Sequence, residues 1–370
     1  RLPMRRVAVA VDPDGHVRPG RVWRGWSRLV ARHRVPVALA GLAVTLLLAA
    51  PFLGVRFGFP DAGNDREEAS SRQAYDLIAA GFGAGANGPL LLAADLADGD
   101  PADLERLSAE LATTPGVALV TPPQVSPAGD AAVLTVVPTT GPQAAATEDL
   151  VHRLRNTIVP RALAGTGVEV YVGGVTATAI DSSRDVASRL PLLIGGVVAV
   201  SMLLLLVAFR SLLIPLAAAA MNLLSVAAAY GVVAYVLAGT WAGRLIGIDT
   251  ETPLPAFVPV LMFAALFGLS MDYEVFLVSR IREAWTRGRD NAGAISVGLA
   301  GTGRVITAAA AIMVAVFAAF VPSTDVVIKV IGVGMAAAIL IDATVIRLLL
   351  VPAVMHLFGR ANWWLPDRLG

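Results

Sequence analysis

Residues Pro255–Ser279 read PAFVPVLMFAALFGLSMDYEVFLVS, and this stretch decides the fold. A helix needs about 20 apolar residues to cross a hydrocarbon core, and this one exceeds that length with only Asp272 and Glu274 charged. Two carboxylates inside an otherwise lipid-compatible helix mark a working site in a membrane protein.

The rest of the sequence agrees. It has 370 residues, 56% of them hydrophobic and 15% charged, where a soluble domain carries about 25% charge. Five further segments have spanning length: Val35–Val55, Leu190–Phe209, Ser211 to Ala238, Val305–Pro322 and Ile328 to Val351. The last contains Asp342 and Arg347. Arginines cluster before the first span (Arg21, Arg24, Arg28, Arg32, Arg34), between the fourth and fifth (Arg280, Arg282, Arg287, Arg289, Arg304) and after the sixth (Arg360, Arg368). Six spans place these regions on one side, and the positive-inside rule makes that side the cytoplasm. Both termini therefore face inward, with Trp23, Trp26, Trp363 and Trp364 near that interface as belt residues.

The expected division is a cytoplasmic connecting segment (1–34), a first transmembrane helix (35–56), an extracytoplasmic domain (57–189), a five-helix bundle (190–358) and a cytoplasmic tail (359–370). The outer segment reads as alternating elements. A helix lies near Ser70–Ala80, then a buried strand at Leu90–Leu96. Asp100-Pro101 opens a second helix, with a capping Asp and a proline at the first helical position. Its apolar face is Leu104, Leu107 and Leu111. Strands follow at Val117–Thr121 and Ala132–Val137, around a turn at Pro127–Asp130. Leu150, Leu154 and Ile158 mark another helix, and Val168–Val172 a last strand. The order βαββαβ is the ferredoxin-like, split βαβ unit. The fold class is thus an α-helical polytopic membrane protein, six spans arranged 1+5, with an α+β ferredoxin-like outer domain.

Local motifs sharpen this. Gly268-Leu269-Ser270-Met271-Asp272-Tyr273-Glu274-Val275-Phe276-Leu277, Asp342-Ala343-Thr344-Val345-Ile346-Arg347, Ala84-Gly85-Ala86-Asn87-Gly88-Pro89 and the tail Asn362-Trp363-Trp364-Leu365-Pro366 together resemble the MmpL family of the RND transporter superfamily. The likeness covers essentially the whole chain and matches the C-terminal half of a family member. It implies half of a proton-motive-force-driven transporter, exporting lipids or other amphiphiles across the bacterial cytoplasmic membrane. The implied partners are membrane lipids, the amphiphilic substrate and a homologous other half, covalent or a separate subunit. It implies no cofactor beyond protons as coupling ion. Drug efflux, a protein-export relative and a non-transporting assembly or regulatory module are the alternatives.

The membrane-embedded charges carry the mechanism. Asp272 lies 17 positions after Pro255, roughly 25 Å along a helix, so it sits in the inner half of the bilayer. A charge at depth costs about 2.5–3.5 kcal/mol on insertion scales, so it belongs inside a bundle or a water-lined cavity. Tyr273 points about 100° away, so the two side chains serve different neighbours. The resemblance implies that this Asp-Tyr pair crosses to an equivalent pair in the other half. Asp272 and Tyr273 are the expected proton relay. Glu274, Asp342 and Arg347 are a possible relay or ion-pair network. Asp342 and Arg347 lie five apart, about 140° around an α-helix, so they are not expected to pair with each other. Glu274 or another carboxylate is the expected partner of Arg347. Gly301 and Gly303 read as a cap and turn before the fifth span.

Other functions are disfavoured. An intramembrane aspartyl protease needs Tyr-Asp and Gly-x-Gly-Asp, whereas this chain has Asp-Tyr and Ile341-Asp342. The four histidines, His16, His33, His152 and His356, match no metal-ligand spacing, and there is no cysteine. A net charge of +1 gives no case for a nucleic-acid partner. The topology is directly measurable. Tags at Arg287 and the C-terminus should be reached from the cytoplasm and a tag near Asp130 from outside; a cytoplasmic Asp130 contradicts the six-span arrangement.

Overall fold

A computed structural model describes residues 21–97 and 99–364. The expected connecting segment up to residue 20, the Leu365-Pro366 motif and Arg368 lie outside the described residues, as do the side chains of Arg21 and Arg24. Among the described residues six helices have the length and apolarity to cross a membrane.

The chain enters through α1 (Arg21–Arg32), an amphipathic helix whose Val30 and Ser27 are buried. The first span is α2 (Arg34–Ala49), prolonged by a 3₁₀ turn at Ala50–Gly54. It carries no acidic residue and exposes Leu39, Leu46 and Leu47 along a lipid-compatible flank. It meets the third span so closely that a Cβ on Gly231 would lie 1.8 Å from the Leu48 carbonyl oxygen. Small residues permit that approach in lipid, where dispersion rather than hydrophobic burial drives helix association.

The outer lobe follows. Helix α3 (Ser70–Phe82) buries none of its residues within this chain. Strand β1 (Leu90–Asp95), α4 (Pro101–Ala112), β2 (Val117–Val120), β3 (Gln124–Val125), β4 (Ala131–Pro138), α5 (Ala145–Arg153), α6 (Val159–Ala162) and β5 (Glu169–Gly173) complete it. The antiparallel sheet runs β2-β4-β1-β5, with β3 a short addition pairing β4. Leu90, Leu92 and Ala94 alternate inward from β1, the period expected of a half-buried strand. They meet Leu104, Leu107 and Leu111 of α4 and Leu150 and Leu154 of the second helix. Asp100 caps α4 by accepting from the Ala102 N–H at 2.9 Å. The βαββαβ reading holds; the two-residue β3 is what the sequence pattern missed.

The largest departure concerns the second span. Helix α7 runs Val175–Phe209, 35 residues, so it begins inside the stretch read as the outer domain. It starts directly after β5, at Gly174, whose φ of +95° disfavours a side chain and where an added Cβ would lie 2.9 Å from the Leu91 nitrogen. Its first half is polar, which is why hydropathy began the span at Leu190. The lobe and this helix are also tied electrostatically. Arg155 donates to both carboxylate oxygens of Asp181, at 2.5 and 2.8 Å, and to the Val172 carbonyl at 2.6 Å.

Four more helical units close the bundle: α8 (Leu213–Leu237), with the short α9 (Trp241–Leu245) beyond it; α10 (Phe257–Thr286); α11 (Asn291–Ala318); and α12 (Val326–Ile341), which continues through a π-helix to α13 (Val351–Phe358). Gly301 and Gly303 are inside α11, not at its start. Gly303 is small because Trp23 of α1 packs on it; an added Cβ would lie 2.8 Å from the indole. Val258, Met262 and Phe263 of α10 pack with Ala228, Ala229 and Val233 of α8 and Met335 and Ala338 of α12. With six spans and the lobe between the first two, Arg34 and Trp364 lie at the end of the bundle opposite the lobe. Below, the two ends are the lobe side and the terminal side.

Candidate functional site

Two π-helical stretches interrupt otherwise α-helical segments: Leu154–Ile158 and Asp342–Leu350. Each is followed by Val-Pro, Val159-Pro160 and Val351-Pro352. A proline inside a helix lacks its N–H and its ring clashes with the carbonyl four residues back. Widening the turn relieves that clash. Within this stretch the Leu348 carbonyl accepts from the Trp26 indole N–H of α1 at 2.8 Å.

The π-turn corrects the sequence reading of Asp342 and Arg347. In a π-helix the repeat is i→i+5, so residues five apart come over one another. Arg347 Nε donates to Asp342 Oδ2 at 2.7 Å, and both residues are buried. They pair with each other, and Arg347 makes no hydrogen bond to Glu274. The α-helical angle of about 140° was the wrong geometry for this turn.

Around this pair α10 and α8 supply the remaining partners. Arg347 Nη2 donates to Ser270 Oγ at 2.7 Å and also to the Ser270 carbonyl. The single hydroxyl proton of Ser270 has two acceptors in reach, Asn222 Oδ1 at 2.6 Å and Asp342 Oδ1 at 3.1 Å. Asn222 also approaches Met271 Sδ at 3.1 Å. The guanidinium carbon of Arg347 stands 5.5 Å from the centre of the Tyr273 ring, within cation–π range. A small cavity of about 20 Å³ adjoins Asn222, Ser270, Tyr273, Asp342 and Arg347. The arrangement is a buried ion pair whose carboxylate accepts from both Arg347 and Ser270.

Asp272 is not in this network. It points roughly 200° away from Ser270, is exposed, and makes no hydrogen bond or ion pair among the described residues. Its neighbours on that face are Ala264, Ala265, Gly268, Val275 and Phe276, all exposed. Tyr273 points elsewhere, with its hydroxyl 3.6 Å from Met313 Sδ. The two side chains therefore diverge, as their adjacency requires. Glu274 is 6% exposed and faces the terminal side of the bundle, without a hydrogen-bond partner among the described residues.

Three contributors escaped the sequence reading. Lys329, the only lysine in the chain, is buried in the sixth span and donates from Nζ to the Ile246 carbonyl at 2.6 Å. A closer count of charges in that span reveals it. Asn222 and Ser270 are polar residues in apolar helices, a weaker signal. At the base of the lobe a larger cavity, about 480 Å³, is walled by Phe57, Phe59 and Ile180 beside Arg56, His152 and Arg184. Asp61 also lines it, and burial raises that carboxyl above its ordinary pKa despite the N–H of Gly63 at 2.8 Å.

A family model described as the MMPL family matches residues 74–370. This chain belongs to the MMPL family. It is 37% identical over 350 residues to membrane protein YdfJ of Bacillus subtilis, covering 93% of this chain and 47% of the relative. It is 34% identical over 356 residues to the mycolic acid-containing lipids exporter MmpL11 of Mycolicibacterium smegmatis, covering 94% of this chain and 37% of that protein. Over 200 residues, 54% of this chain and 21% of the relative, it is 42% identical to the trehalose monomycolate exporter MmpL3 of Mycobacterium tuberculosis. The MMPL chain thus spans about half or less of the length of these relatives.

The buried pair yields a test. Removing one partner of a buried ion pair costs about 3–5 kcal/mol, whereas replacing both by packed apolar residues is often neutral. Arg347→Met alone should lower the thermal unfolding midpoint in detergent. The double variant Asp342→Leu/Arg347→Met should recover most of the loss. Equal loss in single and double variants contradicts the pairing.

Proposed function

We propose that this chain is the C-terminal half of a proton-driven exporter of lipids or other amphiphiles in the bacterial cytoplasmic membrane, its terminal side cytoplasmic. The observation that carries this is the unpartnered Asp272, exposed on a helix of spanning length. Facing lipid, such a charge costs about 2.5–3.5 kcal/mol. The same face presents Ala264, Ala265 and Gly268, and a Cβ added to Gly268 meets nothing within 4 Å. Small residues around a polar one suit close packing of another helix. The relatives, about twice this length or more, provide for a second half. Its equivalent helix covers Asp272 and exchanges an Asp-Tyr contact with it.

In this reading Asp272 takes up and releases the coupling proton. Tyr273 stacks beside Arg347 and holds the carboxylate of the other half. The Asp342–Arg347–Ser270 network responds to the change of charge. Alternation is passed to the lobe by α7, continuous from its terminal-side end to β5. Amphiphile export is supported by two relatives named as lipid exporters and by the lobe-base cavity, which sets aromatic walls beside charged groups.

An amide keeps the shape of a carboxylate and its hydrogen-bonding capacity but does not titrate. Asp272→Asn in the full-length transporter should reach the membrane at normal abundance and lose export driven by an imposed pH gradient. Tyr273→Phe should be equally or less impaired. Export at the parent rate by Asp272→Asn contradicts the relay.

A further inference from the structure

We propose that Glu274 and Asn362 hold one ordered water between them, and that this water carries protons between the buried ion pair and the terminal surface. The inference rests on the proton-driven reading above and adds to it the path on the terminal side.

The site is a cavity distinct from the one beside Asp342 and Arg347; the two share no lining residue. It lies where α8, α10 and α13 meet, walled by Ile214, Ala217, Val278, Val351 and Val354. Its volume is about 20 Å³ for the centre of a water-sized sphere, enough for one water. Only two polar side chains reach it, those of Glu274 and Asn362.

Both are committed in a way that leaves acceptors. Glu274 is 94% buried, since 6% is exposed, and no hydrogen bond reaches its carboxyl from the described residues. A buried carboxyl without a partner is costly enough to require one. Asn362, 2% exposed, spends its amide nitrogen on the carbonyls of Met355 at 2.7 Å and Gly359 at 2.8 Å. Its backbone carbonyl accepts from Ser211 Oγ at 2.6 Å. The side-chain oxygen Oδ1 is what remains. An amide oxygen that only accepts, beside a carboxyl that donates when protonated and accepts when ionised, calls in this otherwise apolar chamber for an occupant that can do both. A metal cation needs about six oxygen ligands, which the chamber does not provide. Water needs two to four partners and fits.

The charged groups facing Glu274 are Arg347 and Asp342, from the π-helical segment; α8 and α13 line the cavity with apolar residues alone. Glu274 therefore borders the water chamber while within reach of the ion pair's field. A proton leaving its carboxyl binds the water oxygen as the water releases another proton toward solvent. The carboxylate is left ionised and the water neutral. Asn362 Oδ1 accepts from the water and orients it, so Asn362 is a positioning residue. The Gly359–Trp363 turn that carries it lies at the terminal surface.

The test is infrared spectroscopy of the full-length transporter in lipid nanodiscs, titrated with pH and transferred from H₂O to D₂O. The protonated-carboxyl band that Glu274→Gln removes should shift promptly in the parent protein. Ala217→Leu, and independently Val354→Phe from a facing helix, fill the chamber without changing a polar group. Each should slow that shift by about tenfold or more, a barrier increase of about 1.4 kcal/mol or more. Prompt exchange in both filled variants overturns the water site, as does the absence of any band dependent on Glu274. Transport in the same samples separates the two claims. Slowed exchange with unchanged proton-driven export leaves the water in place but removes it from the transport path, which overturns the proposal. If Asp272→Asn abolishes export while filling the chamber alters neither exchange nor export, the proton-driven reading survives and this inference fails.

Discussion

The hydrocarbon core tolerates no charge without an answer, and each ionisable side chain in the bundle is answered differently. Arg347 is answered by Asp342 and Ser270. Lys329 is answered by loop carbonyls near the lobe side. Glu274 faces a chamber of one-water size. Asp272 is answered by nothing among the described residues, which is why the rest of the account turns on what covers it. A helix of ordinary apolar residues in that position would leave no reason to look for a partner.

The internal pair depends on a local backbone choice. Pro352 favours a wide turn, the wide turn brings positions 342 and 347 into register, and the resulting ion pair anchors α12 to α10 through Ser270. Trp26 adds to the arrangement by donating to the Leu348 carbonyl in the same stretch. The amphipathic α1 is thereby fastened to the same segment that carries the charge. At the other end, α7 runs unbroken from the bundle to β5 and is gripped by Arg155. Changes at the ion pair and movements of the lobe are joined by helices with few hinges.

Much of this was legible in the residues. Hydropathy located six spans because their apolar runs are long, and alternation in Leu90–Leu96 with helical spacing in Leu104, Leu107 and Leu111 located the lobe. It placed the starts of α7 and α11 too late, because the first half of α7 is polar and the early part of α11 is Ala- and Gly-rich helix cut from the apolar run by Arg304; hydropathy measures lipid contact, not backbone conformation. The divergence of Asp272 and Tyr273 followed from adjacency on any α-helix. The Asp342–Arg347 pair did not, because a period of 3.6 was applied to a stretch that is π-helical. The five-residue spacing before Val351-Pro352 was the available signal. Asn362 gave none, since its role arises from carbonyls freed at the end of α13.

The central claim is that the Asp272 face of α10 is covered by protein, not lipid. A nitroxide at Val275, on that face, can be compared with one at Leu203, exposed on α7, in the full-length transporter in lipid bilayers. Collision with dissolved oxygen, which concentrates in the hydrocarbon, reports lipid contact at each. The account predicts a shielded label at Val275 and an accessible one at Leu203. Equal accessibility at the two positions would contradict it.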